Sequence, residues 1–300
     1  LTLDALVDEV IRRAGDEPFA RYRILAPDCA DRESFVPFWR APTLRAVRAA
    51  VRSRVRKRLA LAAALEFGLN SRTGRTLELT GTVVVEVEAG TPHRIAGIAR
   101  AALAGTSWQD KLDGVTRDDA LLVAWVRGVL DRMRAQGAID HPWFDRLRAE
   151  DGRDWSIWGG RLRSEGMPAF PRNRPAPAYP KVGGTGATGR GVDAVTASQS
   201  WYARWTSRVL DVSPLDGGRL AKLLFDRLAR DGVLSTTISD SGATVYAIPA
   251  AGVVVSPADS EPRLLVCDTC RAVTPGSSAM VDQLLAAPCL HVRCRGRLRV

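Results

Sequence analysis

The sequence predicts an α+β fold, mainly helical. Three observations carry that prediction. Apolar residues recur at helical spacing over residues 42–66 and again over 116–136, as in helices with one buried face. A helix, a second helix and a two-stranded hairpin follow one another over residues 198–255, the order of a winged-helix module. Four cysteines gather in two pairs near the end of the chain, which predicts a small zinc-binding module there.

The elements follow in order. Residues 1–38 open with a short amphipathic helix. Leu3, Leu6, Val7, Val10 and Ile11 share one face of it, with Asp4, Asp8 and Glu9 between them. Pro18, Pro27 and Pro37 then divide the segment into loops. Residues 39–150 hold a helical and strand domain. In its first helix, residues 42–66, Leu44, Val47, Val51, Val55, Leu59 and Ala62 form an apolar stripe. Arg45, Arg48, Arg52 and Arg56 form a second stripe one position on, and no acid occurs between Glu33 and Glu66. Gly68 and residues 70–74 end this helix. Residues 77–87, rich in Val and Thr, read as a strand. The helix over 116–136 takes Thr116 as its cap, with Asp119 three residues on as in a capping box. Leu121, Leu122, Trp125, Val126, Val129, Leu130 and Met133 form its buried face, and Gly137 is its left-handed stop.

Residues 151–197 are crowded first with prolines and then with glycines. They have no helical period and read as a linker. In residues 198–255 one helix spans 200–210. Ser213, Pro214 and Asp216 open the next as cap, first helical position and acid near the positive end. Leu220, Leu223, Leu224 and Leu228 line that helix, Gly232 closes it, and 233–248 fold as a hairpin around 239–242. There is a faint internal echo. Leu130, Asp131, Arg132 and Met133 before Gly137, Ala138 and Ile139 match Phe225, Asp226, Arg227 and Leu228 before Gly232, Val233 and Leu234. It raises a first winged-helix-like unit within 39–150. The plainer reading is two helices that each leave through a glycine into a strand. Residues 256–300 form the zinc module.

The chain has 300 residues, 46% of them hydrophobic and 25% charged. That composition excludes a disordered tail, a disulfide-rich secreted miniprotein and a membrane protein. No signal-peptide pattern is present, so the cytoplasm is the expected compartment. The first residue is Leu1 rather than Met, and a piece of a longer protein is expected. The net charge is +10, from 43 Lys and Arg against 33 Asp and Glu. Such an excess points to a polyanionic partner: DNA, RNA or an acidic protein. The cations are nearly all arginines, as a GC-rich genome writes them, so clustering is a stronger signal than the total.

The chemistry-bearing motif is Cys267 and Cys270, then Cys289 and Cys294. Two such turns present four thiolates tetrahedrally, which suits a structural Zn2+. Pro288 and Gly296 favour tight turns beside the second pair. Disulfides are the alternative, disfavoured in a cytoplasmic setting, and His291 competes as a ligand. Metal binding there supplies folding energy, about 10–16 kcal/mol in typical structural sites. Cys29, alone, reads as a buried thiol. The Gly184 to Gly189 spacing is that of a phosphate loop, but Arg190 and Gly191 stand where Lys and a hydroxyl are needed. Nucleotide binding is not expected. His93, His141 and His291 form no catalytic pattern. Candidates for phosphate contact are Arg45, Arg48, Arg52 and Arg56, and on the helix–hairpin module Arg219, Lys222, Thr236 and Thr237. The plain alternative is a solvated or acid-paired face. Trp155, Trp158, Trp201 and Trp205 offer rings for stacking on bases, though the spacing of Trp201 and Trp205 fits a core.

Some tracts resemble a family. They are Leu69, Asn70, Ser71, Arg72, Gly74, Arg75 and Glu78; Gly137, Asp140, Pro142 and Trp143; Trp158, Gly159, Gly160, Gly166, Pro168, Phe170 and Pro171; and the cysteine quartet with Gly296. The chain resembles an internal-to-C-terminal region of large bacterial superfamily-2 helicases of the DEAD/DEAH-box type, which carry four clustered cysteines and occur in phage defence, the Druantia helicase subunit among them. The resemblance implies a DNA-binding accessory region. ATP belongs only to the parent motor, since no phosphate loop or DExx box is present here. It also implies helicase motor domains or other defence-system subunits as partners, and no membrane. A protein-docking scaffold and a standalone zinc-containing DNA-binding regulator are the other two expectations. If six or so phosphates are contacted, affinity should fall about 10³-fold between roughly 50 and 200 mM salt.

Overall fold

The computed structural model describes residues 3–25, 32–66, 76–141, 144–149, 177–184, 192–258, 263–285 and 287–300. Helix α1 (Leu3–Ala14) forms as its periodicity predicts and buries Leu6, Val7 and Val10. Pro18 and Pro37 do not make loops. Each enters the first turn of a helix, where the missing N–H has no partner to lose: α2 (Pro18–Ile24) and α3 (Val36–Arg40). Pro27 lies outside the described residues.

The helix expected from residue 42 is interrupted. Thr43 accepts the Ala46 N–H and caps a single tight turn, Leu44–Ala46. Val47 is then extended and buried, and α4 (Ala49–Glu66) starts after it. Val51, Val55 and Leu59 carry its buried stripe. Gly68 and residues 70–74 lie outside the described residues.

Residues 77–87 are not one strand. Thr76–Leu79 make the helical turn α5, Gly81 turns the chain at φ +65°, and only β1 (Val83–Val87) is extended. A tertiary contact overrides the β propensity of this stretch. Glu78 on α5 is buried against Arg134, carboxylate to guanidinium at 3.1 Å. Helix α6 (Pro92–Leu103), capped by Thr91, follows without having been anticipated. Thr116 is not the cap of the next helix. Its hydroxyl donates to the Asp113 carbonyl inside α7 (Asp113–Thr116). Asp118 caps α8 (Asp119–Ala135) instead, accepting the Leu121 N–H at 3.0 Å.

Strand β2 (Ile139–Asp140) and helix α9 (Asp145–Ala149) come next. The stretch read as a linker is structural where it is described. It supplies β3 (Tyr179–Val182) and β4 (Val192–Ala194), with Tyr179 and Lys181 buried. Helices α10 (Trp201–Leu210) and α11 (Pro214–Arg230) are capped by Ser200 and Ser213; Ser213 is the cap the sequence predicts, and Ser200 stands one residue before the helix rather than within it. The hairpin β5 (Ser235–Ile238) and β6 (Thr244–Pro249) forms in the expected place.

That hairpin is not a free two-stranded wing. Strand β6 is interior to a five-stranded sheet. Along one side it pairs with β5. On the other it pairs antiparallel with β3 at Thr244 and Val245, and parallel with β2 at Ile248 and Pro249. Helix–helix–hairpin order is therefore present, while the sheet draws on three other parts of the chain. The echo has a physical basis. Gly137 and Gly232, at φ +72° and +73°, end α8 and α11 with the same pair of bonds. Ala138 N–H reaches Met133 O and Val233 N–H reaches Leu228 O, each at 2.9 Å, the Schellman arrangement.

Strand β7 (Val253–Pro257) pairs antiparallel with β1. Strands β8 (Arg263–Cys267), β9 (Val273–Gly276) and β10 (Leu298–Arg299) form an antiparallel sheet with β8 central, and α12 (Ser278–Leu284) packs on β8, β9 and α8. The boundaries expected at 38, 150, 197 and 255 do not divide the core. One apolar cluster includes Val10, Leu59, Trp125, Trp205, Leu224 and Val281. Helices α8 and α10 interlock: Trp125 Nε1 donates to Thr206 Oγ1 and Trp205 Nε1 to the Trp125 carbonyl, both at 2.9 Å. The two helices approach so closely that a Cβ at Gly128 would lie 2.3 Å from the Trp205 ring.

Candidate metal centre

The four thiols converge from two turns at opposite ends of the C-terminal segment. Cys267 ends β8 and Cys270 follows on a tight turn. Arg271 closes that turn at φ +59°, a left-handed position uncommon outside glycine, and Cys267 N–H donates to Ala272 O at 3.0 Å. The second turn is closed by Cys289 N–H to Gly296 O at 2.9 Å and Cys294 N–H to His291 O at 2.7 Å. Pro288 bridges to Arg297 beside it.

All four Sγ atoms lie within 4.8 Å of one another. Cys267 and Cys294 are 3.6 Å apart, as are Cys270 and Cys289. These are free thiols, far from the ~2.05 Å of a disulfide. Sulfurs bound ~2.3 Å from a tetrahedral ion stand about 3.8 Å apart. The cluster can therefore hold a metal ion such as zinc. His291 is exposed and offers its backbone N–H, not its ring: that N–H reaches Cys289 Sγ at 3.3 Å.

The backbone is arranged for thiolates. Thr269 and Cys270 N–H groups both reach Cys267 Sγ at 3.4 Å, and Gly296 N–H reaches Cys294 Sγ at 3.3 Å. Burial opposes ionisation of Cys267. The bonds from Cys270 and Thr269, with the neighbouring Cys289 and Cys270 thiols, outweigh it and lower the group to about 7. Burial pushes Cys289 the other way. Four thiolates this close repel one another, and a divalent cation relieves that repulsion.

Gly296 passes tightly against the first turn. A Cβ there would lie 2.5 Å from Asp268 Oδ1 and 2.6 Å from Cys267 Sγ. Asp268 ties the two turns together. Its carboxylate accepts the Arg297 N–H at 3.0 Å and the Thr269 hydroxyl at 2.9 Å, and faces Arg299 Nε at 3.4 Å. Those bonds hold its carboxyl below the usual range. Helix α10 grips the second turn from outside. Trp201 Nε1 donates to Leu290 O and Arg208 Nη1 to Cys289 O, each at 2.8 Å. Sequence reasoning missed Arg208 and Asp268. The position of Asp268 directly after the first cysteine was a usable signal. Nothing local marks Arg208, which lies 81 residues from Cys289.

The basic candidates divide. Arg45, Arg48 and Arg52 are exposed and pair with no acid among the described residues. Arg56 pairs with Asp8 on α1, so it braces α1 to α4 and leaves the stripe. Arg45 sits on the separate turn before α4, and the stripe is not one continuous helical face. Arg219 lies 3.5 Å from Asp216, and Lys222 Nζ 2.6 Å from Asp226, both on their own helix. Thr237 Oγ1 accepts from Arg148 at 2.6 Å, while Thr236 is exposed. The helix–hairpin module thus offers little uncommitted charge. Trp205 is buried and Trp201 is engaged with Leu290, so neither presents a free ring. Cys29, Trp155, Trp158, residues 185–191 of the glycine run and most of the tracts that carry the helicase resemblance lie outside the described residues.

No protein-family model matches the chain, and none of the curated proteins or solved structures compared with it matches either. No helix among the described residues is long and apolar enough to cross a membrane.

Proposed function

We propose that the chain is a DNA-binding accessory region of a DEAD/DEAH-box helicase-like protein in bacterial phage defence, working in the cytoplasm beside motor domains that hold the ATP. The observation that supports DNA contact is the exposed trio Arg45, Arg48 and Arg52 on an acid-free stretch. Elsewhere on the candidate surface the cations have acids of their own. Cations without acid partners among the described residues, held just before α4 and within its first turn, suit phosphates, and phosphate contacts position a protein on nucleic acid.

The metal in this reading is zinc, bound by Cys267, Cys270, Cys289 and Cys294. Four thiolates fill a tetrahedral ion and leave no open position, so its role is structural. The chain's part is to present the thiolates, to brace both turns through Asp268, and to anchor the second through Trp201 and Arg208.

The test is DNA binding by the full chain carrying Arg48→Glu and Arg52→Glu, with Arg219→Glu as a control. The reading predicts that the double variant loses most of its affinity at low salt and that the control binds like the wild type. Wild-type affinity in the double variant, with failure to assemble with the motor protein, would establish a docking scaffold in its place.

A further inference from the structure

Two aromatic side chains stand in solvent on the helix that is tied to the start of the arginine stripe. Phe19 is 68% exposed and Tyr22 is 43% exposed. Both are on α2, three residues apart, so they share a face. The Tyr22 ring lies 5.2 Å from that of Trp39, which in turn lies 6.5 Å from buried Phe35. Tyr22 is therefore backed by a wall of rings that ends in the core.

The short helix is pinned where it is. Arg21, fully buried, donates to the carbonyls of Asp16, Phe38 and Ala41, the last two at 2.9 and 2.7 Å. The Asp16 carboxylate accepts the Leu44 N–H at 2.6 Å. Leu44 immediately precedes Arg45. This clamp ties the helix that carries the exposed rings to the segment where the stripe starts. Two acids at the base of α2 are already used: Asp16 on Leu44, and Glu17 as the cap of α2 through the Ala20 N–H.

A partner for this surface must satisfy cations and rings together. The acidic groups of a peptide answer the charge and leave the rings to whatever apolar side chains accompany them. A duplex answers the charge but keeps its bases stacked inside. A single strand offers phosphates and free base faces. We infer that Phe19 and Tyr22 form a stacking platform for single-stranded nucleic acid whose phosphates run along Arg45, Arg48 and Arg52. The inference rests on the nucleic-acid reading above and adds strand state to it.

The experiment is fluorescence anisotropy with the full chain, using a labelled oligothymidine and a labelled hairpin duplex of equal charge. Phe19→Ala with Tyr22→Ala should weaken single-strand binding about tenfold or more and duplex binding by less than about twofold. The slope of log affinity against log salt should stay unchanged, because no phosphate contact is removed. Tyr22→Phe, which keeps the ring, should bind like the wild type. Unchanged zinc content and thermal midpoint show that the variants fold; both rings are at the surface. No loss on the single strand, or an equal loss on both, overturns the platform and leaves the arginine reading standing. A wild-type chain that binds neither probe at low salt overturns both.

Discussion

Gly296 and Tyr246 show how far single residues are constrained. At Gly296 the backbone passes against Cys267 Sγ and Asp268 Oδ1, and even a methyl group would overlap both. The second turn would have to swing away and take Cys294 with it. Gly296→Ala should therefore reduce bound zinc well below one equivalent while α8, α10 and α11 remain folded. Metal analysis alongside far-ultraviolet circular dichroism checks this. Tyr246 carries a pH effect. Burial, and its hydrogen bond to Asp226 at 2.6 Å, push its phenol above the ordinary value of 10.0. Folding thus favours the protonated form, so the stabilisation is complete below about pH 10 and is lost as pH rises beyond it. Tyr246→Phe should flatten the fall in thermal midpoint above about pH 10, and a series of melts across that range measures it.

Among the elements, those read correctly carry their own punctuation. Ser200 and Ser213 cap α10 and α11, and Gly137 and Gly232 end α8 and α11, because each signal acts on the backbone within one turn of itself. The failures are nonlocal. Residues 76–79 coil because Glu78 must meet Arg134, 56 residues away. Strand β3 forms in a proline-rich stretch because β6 and β4 flank it. Arg56, Arg219 and Lys222 looked alike as charges, and only the fold shows that each has an acid opposite. The thiol quartet was legible because its spacing alone requires two turns. Its external braces, Trp201 and Arg208, were not. The tightest test of the element packing is Gly128, where α8 admits Trp205 of α10. Gly128→Ala places a methyl 2.3 Å from that ring. Overpacking of this kind typically costs about 1–3 kcal/mol, and urea denaturation should register a loss of that order.

At the scale of the whole molecule, one apolar core runs from α1 to β10, so the metal centre and the basic surface are two parts of one body. The centre is joined to it through α12 on α8 and through α10, while α4 rests on α1. Among the described residues no acid answers Arg45, Arg48 and Arg52. Arginines also crowd the chain after Asp282, where Arg293, Arg295, Arg297 and Arg299 alternate outward between Cys294, Gly296 and Leu298, with Arg299 facing Asp268. The second group surrounds a centre that four thiolates leave negative even with a divalent ion. The first has no thiolate cluster beside it among the described residues. That contrast leaves the arginine trio as the surface that awaits an anionic partner. The most direct measurement is the affinity of the full chain for DNA across a salt series from about 50 to 200 mM, for the wild type and for Arg45→Gln, Arg48→Gln and Arg52→Gln combined. Three phosphate contacts predict that the slope of log affinity against log salt becomes shallower by about 2–3 in the triple variant. An identical slope in the two proteins, or no binding at the lowest salt, would contradict it.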